Sequence, residues 1–217
     1  MQLTTAQPCG EFVTSPRVVT VMEPSESTAP TYDWLALQKQ AHSEFGVRLG
    51  EVTNWDAPTP DTDWTVRDLV RHVVEEQQWV PHLLTGSSAA DARRRIHPLG
   101  GDLRAEWRLY SLAATTAWDA AVPDAQVHLS SDIVAVSDYL REQVSDVTIH
   151  SWDLARAVGA DETLDDVLVA AVWTVFEPQR DTLSASGLFA APVPLPDDSS
   201  LQLRLLALTG RDARPVV

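Results

Sequence analysis

The segment SDVTIHSWDLARAVG, residues 145–159, carries the residues whose types and spacing could do chemistry. Asp146 and His150 are four residues apart, so on a helix their side chains project from adjacent turns of one face. Burying a carboxylate and an imidazole is costly unless they pair with each other or bind something. We interpret the neighbours on this face as pocket residues or as residues that orient the ligands. Three polar side chains follow the same line at helical spacing: Tyr139, Gln143 and Asp153.

A second histidine with this potential, His72, lies at the flank of an apolar helical stripe in WTVRDLVRHVVEEQQW. Two helices of one bundle can bring His72 against Asp146 and His150. Two imidazoles and one carboxylate can hold a divalent metal while leaving coordination positions open, as catalytic metal sites do. A hydrogen-bonded histidine–aspartate pair without metal stays open as the alternative. One and two turns beyond His72, Glu76 is a candidate catalytic base and Trp79 a candidate pocket residue.

Other polar and aromatic residues near these segments have competing interpretations. Asp153 either orients a ligand histidine or forms a salt bridge at the helix end with Arg156. Three tryptophans are expected to pack the bundle rather than line a pocket: Trp55, Trp64 and Trp152. Four histidines are assigned to polar or loop surroundings without a role in the site: His42, His82, His97 and His128.

Four long helices are predicted to position the candidate ligands, because apolar residues recur at the i, i+3, i+4, i+7 spacing of a buried helical face. Their predicted ranges are 31–50, 65–86, 102–121 and 133–158. Thr65 and Asp68 resemble a capping box at the start of the second helix. A shorter fifth helix is predicted to stop at Pro178, and Ser199 or Ser200 is predicted to cap a terminal helix. No segment shows the period-two alternation of a strand, so the fold class is all-α: a four-helix bundle with short C-terminal helices packed on it.

Composition and charge limit the partners of the chain. The net charge of −15 argues against a nucleic-acid partner, which needs a basic face to neutralise phosphates. We find no apolar run of membrane-spanning length and no secretory signal, so no membrane partner is expected. The single cysteine, Cys9, cannot form an intrachain disulfide and fits a reducing cytoplasm. Residues 1–29 are interpreted as a flexible segment and residues 30–217 as one domain, and a homodimer is left open.

Three motifs carry a resemblance to a known family: WDAPTPDTDWTVRDLVRHVV, IHSWDLARAVG and LLALTGRD. Together they resemble the DinB/YfiT-like superfamily, and within it the actinobacterial branch related to mycothiol-dependent maleylpyruvate isomerase, over residues 33–212. The resemblance implies a four-helix bundle that binds a divalent metal, with zinc favoured and nickel or iron as alternatives. The family's first ligand, a histidine of the second helix, matches His72. Its other two ligands, a pair four residues apart on a later helix, match Asp146 and His150.

The sequence also departs from the pattern of the isomerase. Asp146 stands where the isomerase has glutamate, and Asp61 stands where near relatives often carry cysteine. The residues after Gly159 are too few to reproduce the separate C-terminal domain of the isomerase. The resemblance therefore implies the metal-binding bundle and its chemistry rather than the isomerase's own substrate.

The ligand set and the resemblance together predict a metal-dependent enzyme of the thiol S-transferase or isomerase type. Such an enzyme would transfer or add a low-molecular-weight thiol, mycothiol, to an electrophilic small molecule. A hydrolase, cyclase or isomerase of specialised metabolism that uses the metal without a thiol is one alternative. A non-catalytic metal-binding bundle is another. Two histidines and one carboxylate also suit a non-haem iron oxygenase, although that chemistry normally uses a β scaffold.

Overall fold

A computed structural model of the chain describes four stretches of residues: 31–61, 64–130, 132–183 and 189–214. Segment 1–29, predicted to be flexible, and Cys9 lie outside the described residues. The division into a flexible segment and one domain therefore stays a prediction. Among the described residues, none of the helices combines the length and the apolarity needed to span a lipid bilayer.

The described residues form a bundle of four long helices with shorter helices packed on it. In chain order, the helices are α1 (Trp34–Gly50), α2 (Val66–Leu84), α3 (Ala89–Arg93), α4 (Leu103–Asp119), α5 (Val136–Val158), α6 (Asp166–Phe176), α7 (Arg180–Leu183) and α8 (Leu201–Leu208). α1 packs mainly against α5 and α2 mainly against α4, and contacts of α1 with α4 and of α2 with α5 close the bundle. α6 lies against α5, and α8 lies against α6. The predicted all-α fold, a four-helix bundle with short C-terminal helices, is confirmed.

The ends of α2 and α5 follow from residues that their sequences supply. The Thr65 hydroxyl accepts the backbone N–H of Asp68, and the Asp68 carboxylate accepts the backbone N–H of Thr65. This reciprocal capping box satisfies amide groups that have no partner within the helix. Pro81 lies inside α2 without ending it, and Gly86 follows the helix with a φ of +84°. α5 ends at Gly159, whose left-handed φ of +71° is the usual conformation after a helix.

A short β-hairpin precedes α5 and corrects the prediction that the chain contains no strand. β1 (Gln126–His128) pairs with β2 (Ile133–Ala135) in antiparallel fashion, and Val127 lies opposite Val134. Both valines are buried, whereas their neighbours in β1 are exposed. The predicted start of the fourth helix at Ile133 is therefore wrong, because β2 occupies that position and α5 begins after it. Strands of three residues are too short for alternation to stand out in the sequence.

The predicted fifth helix, α6, ends at Phe176, two residues before Pro178, as the sequence predicts, but the chain continues in helical turns. A 3₁₀ turn at Glu177–Gln179 accommodates Pro178, and α7 follows directly. Proline fits the first positions of a helical turn because no N–H is needed there. The short helix α3 was not predicted, and the Ser88 hydroxyl caps it by accepting the backbone N–H of Asp91.

A left-handed turn at Gly210 follows α8. Its φ of +81° is a conformation that glycine adopts freely and other residues rarely do. A Cβ atom at this position would lie 2.6 Å from the Cβ of Ala190. The turn therefore requires glycine, and it fixes the backbone from which the next residue, Arg211, projects.

Candidate metal centre

The three predicted ligands meet where α2 passes α5. Asp146 Oδ1 lies 3.6 Å from His72 Nε2 and 3.4 Å from His150 Nε2. The ring centroids of His72 and His150 are 5.2 Å apart. One ligand atom from each of the three residues lies within 4.8 Å of the others. Helical spacing on α5 and the packing of α2 on α5 thus produce the arrangement that the sequence motifs anticipate.

The donor set and its distances fit a divalent cation. Two donors that are each about 2.1 Å from a tetrahedral zinc ion lie about 3.4 Å apart, close to the distances between Asp146 and the two imidazoles. The other oxygen, Asp146 Oδ2, is buried and has no hydrogen-bond partner among the residues that the structure describes. A buried carboxylate oxygen without a partner is costly, and a cation would compensate it. Imidazole and carboxylate ligands suit zinc, nickel and iron alike.

The electrostatics of the cluster also favour positive charge beside Asp146. Burial opposes protonation of the imidazoles, but the carboxylate of Asp146 outweighs it, raising the pKa of His72 and raising that of His150 to about 10. Burial alone would raise the pKa of Asp146, yet the charges of His150 and His72 hold that pKa well below its usual range. The carboxylate of Asp146 is therefore stabilised by positive charge on either side of it. A bound cation could supply that charge in place of the two protonated imidazoles.

Asp153 lies behind His150, on the side away from Asp146. Asp153 is fully buried, and its Oδ2 lies 3.1 Å from His150 Nδ1. Burial would raise the pKa of Asp153, but the hydrogen bond with His150 and the charge of Arg211 lower it. Of the two roles predicted for Asp153, the structure therefore shows the contact with the histidine.

The predicted salt bridge between Asp153 and Arg156 is wrong. Arg156 Nη2 instead donates to Glu162 Oε2 at 2.7 Å, and the guanidinium lies 4.9 Å from the ring centroid of Trp152. The cation that pairs with Asp153 is Arg211, 58 residues further along the chain.

Glu76 reaches the interior of the bundle one turn beyond His72. Gln143 donates from Nε2 to Glu76 Oε2 at 3.4 Å and accepts at Oε1 from Gln77 Nε2 at 3.3 Å. Burial raises the pKa of Glu76 to about 8, against the opposing charge of His72. Burial therefore favours the protonated form of the side chain that was predicted as a base.

Two aromatic residues predicted to lie near the ligands are buried. Tyr139 packs against Trp118 with ring centroids 5.3 Å apart, and its hydroxyl has no hydrogen-bond partner within the described parts of the chain. Burial raises the pKa of this hydroxyl well above its usual value. Arg93 of α3 lies 5.8 Å from the ring centroid of Trp79, and a pocket role for Trp79 stays a prediction.

Sequence reasoning misses two residues of this region, Trp64 and Arg211. The ring centroid of Trp64 lies 4.9 Å from that of His72 and 5.7 Å from that of His150, with the second pair stacked. Trp64 therefore covers both imidazoles, although it was expected only to pack the bundle. The sequence does place Trp64 directly before Thr65, the capping residue of the helix that carries His72, which indicates that the two side chains are near each other. Arg211 belongs to the LLALTGRD motif, but its spacing gives no indication of its partner.

A further histidine, the half-buried His42 of α1, lies away from the three candidate ligands. Its Nδ1 is 3.0 Å from the amide nitrogen of Gln38, and its ring centroid is 5.0 Å from that of Trp107. Burial lowers the pKa of His42 to about 4, although a hydrogen bond with Gln77 opposes this shift. His42 therefore lies in polar surroundings away from the ligand cluster, as the sequence analysis assigned it, although it is on a packed helix rather than in a loop.

Comparisons with known proteins agree with this architecture. The uncharacterised proteins Rv0738 and MT0763 of Mycobacterium tuberculosis are each 27% identical to the chain over 194 residues, which cover 84% of this chain and 100% of the relative. Two crystal structures of mycothiol-dependent maleylpyruvate isomerase, one of them a histidine-to-alanine variant, are similar in fold. Their TM-scores are 0.51 and 0.52 at 19% identity, with 73% of this chain and 70% of theirs covered.

The family model of the mycothiol maleylpyruvate isomerase N-terminal domain matches residues 39–155. This range is more than half of the chain, and it contains His72, Asp146 and His150. The chain belongs to the family of mycothiol maleylpyruvate isomerase N-terminal domains.

Proposed function

We propose that the chain is a divalent-metal-dependent enzyme that adds or transfers a low-molecular-weight thiol, mycothiol, to an electrophilic small molecule. The observation that carries the proposal is the convergence of His72, Asp146 and His150, with the second oxygen of Asp146 lacking a hydrogen-bond partner among the described residues. Family membership supports isomerase-related thiol chemistry at a coarser level. Zinc is the favoured metal, and nickel and iron are the alternatives.

The proposed chemistry needs a thiolate beside an electrophilic carbon. A bound divalent cation supplies a Lewis acid, which lowers the pKa of a thiol and stabilises developing negative charge. His72, Asp146 and His150 would hold this cation and leave room for the thiol. Trp64 covers the two imidazoles and limits the access of water to them.

Glu76 is the proposed proton donor. The thiol loses its proton to solvent, and the sulfur forms a bond to the electrophilic carbon. The electron pair displaced from that carbon's double bond moves to the adjacent atom, which takes the proton of Glu76. Solvent then reprotonates Glu76, so the net reaction adds the thiol and its hydrogen across the double bond. Gln143, which donates to the Glu76 carboxyl group, holds it in place.

A reducing compartment, the cytoplasm, is proposed as the location because a low-molecular-weight thiol is kept reduced there. The proposed partners are accordingly the thiol and an electrophilic small molecule.

Metal content tests the site directly. Elemental analysis of the purified protein is expected to find about one divalent metal ion per chain, and His72→Ala and His150→Ala are each expected to lose it. His42→Gln is the matched control, because it replaces a half-buried histidine outside the ligand cluster and should keep the metal. Full metal content in both alanine variants would contradict the proposed site.

Thiol dependence tests the reaction. Metal-loaded protein is expected to accelerate addition of mycothiol to a generic electrophile with an activated double bond, such as N-ethylmaleimide, and chelation followed by dialysis should abolish the acceleration. Restoring zinc should restore it. Hydrolysis of an ester or lactone without thiol would instead favour a hydrolase, and bound metal without turnover would favour a non-catalytic bundle.

A further inference from the structure

The side chain of Arg211 forms ion pairs with both Asp153 and Asp61. Through Asp153, these ion pairs connect to the candidate ligand His150. Its Nη2 lies 2.9 Å from Asp153 Oδ2, and its Nε lies 3.3 Å from Asp153 Oδ1. Asp153 Oδ2 in turn lies 3.1 Å from His150 Nδ1. On its other side, Arg211 Nη2 donates to Asp61 Oδ2 at 3.0 Å. Four charged or titratable side chains from three separate parts of the chain are thus connected.

Burial makes this pairing obligatory. The side chain of Asp153 is 0% exposed and that of Arg211 is 7% exposed, so neither charge can rely on water. Removing one partner of a buried ion pair leaves the other charge uncompensated. Because the planar guanidinium contacts both oxygens of Asp153, it fixes the orientation of the carboxylate.

The orientation of Asp153 determines which nitrogen of His150 faces the ligand cluster. With its Oδ2 held in place, Asp153 accepts the Nδ1 proton of His150, and the other ring nitrogen, Nε2, points toward Asp146. A carboxylate that accepts the remaining N–H of a ligand histidine fixes its tautomer and ring orientation, and typically contributes 10–100-fold to metal affinity.

We infer that Arg211 is a positioning residue for the metal ligand His150 and acts on it through Asp153. The inference rests on the proposed metal site and goes beyond it. The family match ends at residue 155, so this contribution comes from outside the matched domain. The segment that follows α8 therefore supplies the residue that orients the ligand His150 through Asp153. Asp61, in the loop before α2, contacts the other side of the guanidinium.

Co²⁺ titration of the metal-free, full-length protein tests the inference, with visible absorption as the readout. Arg211→Met is expected to weaken Co²⁺ binding about tenfold or more. Arg211→Lys keeps the charge but cannot contact both oxygens of Asp153 in the same way, so a smaller loss of severalfold is expected. In Zn²⁺-loaded, ¹⁵N-labelled protein, the Nδ1 proton of His150 should give a slowly exchanging resonance that Arg211→Met abolishes.

Arg156 supplies the matched control. It too is an arginine that ties α5 to the C-terminal segment, donating to the carbonyl oxygens of Ala213 and Arg214, but it has no contact with Asp153. Arg156→Met should therefore leave Co²⁺ affinity and the His150 resonance unchanged. An equal loss in Arg156→Met and Arg211→Met would show that only the docking of the segment matters, and would overturn the inference.

The remaining outcomes separate the inference from the proposed function. Equal Co²⁺ affinity in wild type and Arg211→Met overturns the inference alone. Absence of Co²⁺ binding in the wild type overturns the metal site and the inference with it. If Arg211→Met does not fold, Arg211→Lys decides, and affinity equal to wild type in that variant overturns the inference.

Discussion

The bundle holds two histidines, the buried His150 and the half-buried His42, whose pKa values shift in opposite directions. Burial alone lowers the pKa of an imidazole, and His42 follows this rule because its near neighbours are the amides of Gln38 and Gln77 and the indole of Trp107. His150 lies against the carboxylates of Asp146 and Asp153, and its pKa rises to about 10. The comparison shows that carboxylate neighbours, rather than burial, distinguish the candidate metal centre from ordinary polar packing.

Replacing the carboxylate of Asp146, which His72 and His150 share, should remove the difference between His150 and His42. Asp146→Asn leaves His72 and His150 beside a neutral amide, which resembles the surroundings of His42. We expect Co²⁺ affinity to fall at least about 100-fold, because the only anionic ligand in the set of three is lost. Co²⁺ titration measures the loss, and Arg141→Glu, which adds a carboxylate on the exposed side of α5, should not restore binding in Asp146→Asn. Undiminished Co²⁺ affinity in Asp146→Asn would show that Asp146 is not a metal ligand.

The lowered pKa of His42 should make the free energy of unfolding depend on pH. Between pH 6.5 and about 4 the unfolded chain protonates His42 and the native chain does not, so the free energy of unfolding falls as pH is lowered through this range. The contribution is up to about 3 kcal/mol and levels off below pH 4. Urea unfolding of wild type and His42→Gln at several pH values should show a flatter dependence in the variant. Parallel curves would mean that folding leaves the pKa of His42 unchanged.

Adding a carboxylate beside His42 should move it toward the behaviour of His150. Gln38→Glu preserves the shape of the side chain one helical turn from His42, and an adjacent negative charge should raise the pKa of His42 by about 1 or more. NMR titration of the His42 ring protons measures the change. Ser43→Glu, on the exposed face of α1, adds the same charge without the contact and should raise the pKa much less.

Removing the indole of Trp64, which packs over the two candidate ligand imidazoles, should have the smallest effect on metal binding. Trp64→Leu keeps an apolar side chain but uncovers the imidazoles of His72 and His150, so a chelator should extract Co²⁺ from the loaded protein severalfold faster. Trp55→Leu is the matched control from the same loop, because Trp55 packs under Arg67 and Arg104 instead. Equal extraction rates in the two variants would show that Trp64 does not limit access.

The helices and the three converging side chains could be predicted because their signals are local and periodic. Asp146 and His150 share a face by their spacing of four, and the apolar stripe beside His72 indicates which side of α2 faces the bundle. The capping box of Thr65 and Asp68 likewise depends on a spacing of three. The convergence of α2 and α5 needs only the packing of two amphipathic helices.

The residues that contact the candidate ligands from distant parts of the chain could not be predicted in this way. Arg211 reaches Asp153 across 58 residues, and no spacing rule relates positions so far apart. Arg156, only three residues from Asp153, was the better candidate by spacing, but its side chain turns to Glu162. The pairing of Val127 with Val134 was missed for a different reason, since strands of three residues leave too little pattern to detect.

Gly210 and Arg211 function as an inseparable pair. The left-handed backbone at Gly210 sets the direction in which the following guanidinium leaves the chain, and Ala190 closes the space that any Cβ would need. A library that randomises both positions should therefore recover the glycine together with the arginine. A change at Ala190 would be the first able to release that constraint. We therefore expect a surface alanine, far from the candidate metal centre in sequence, to set part of that centre's tolerance to mutation.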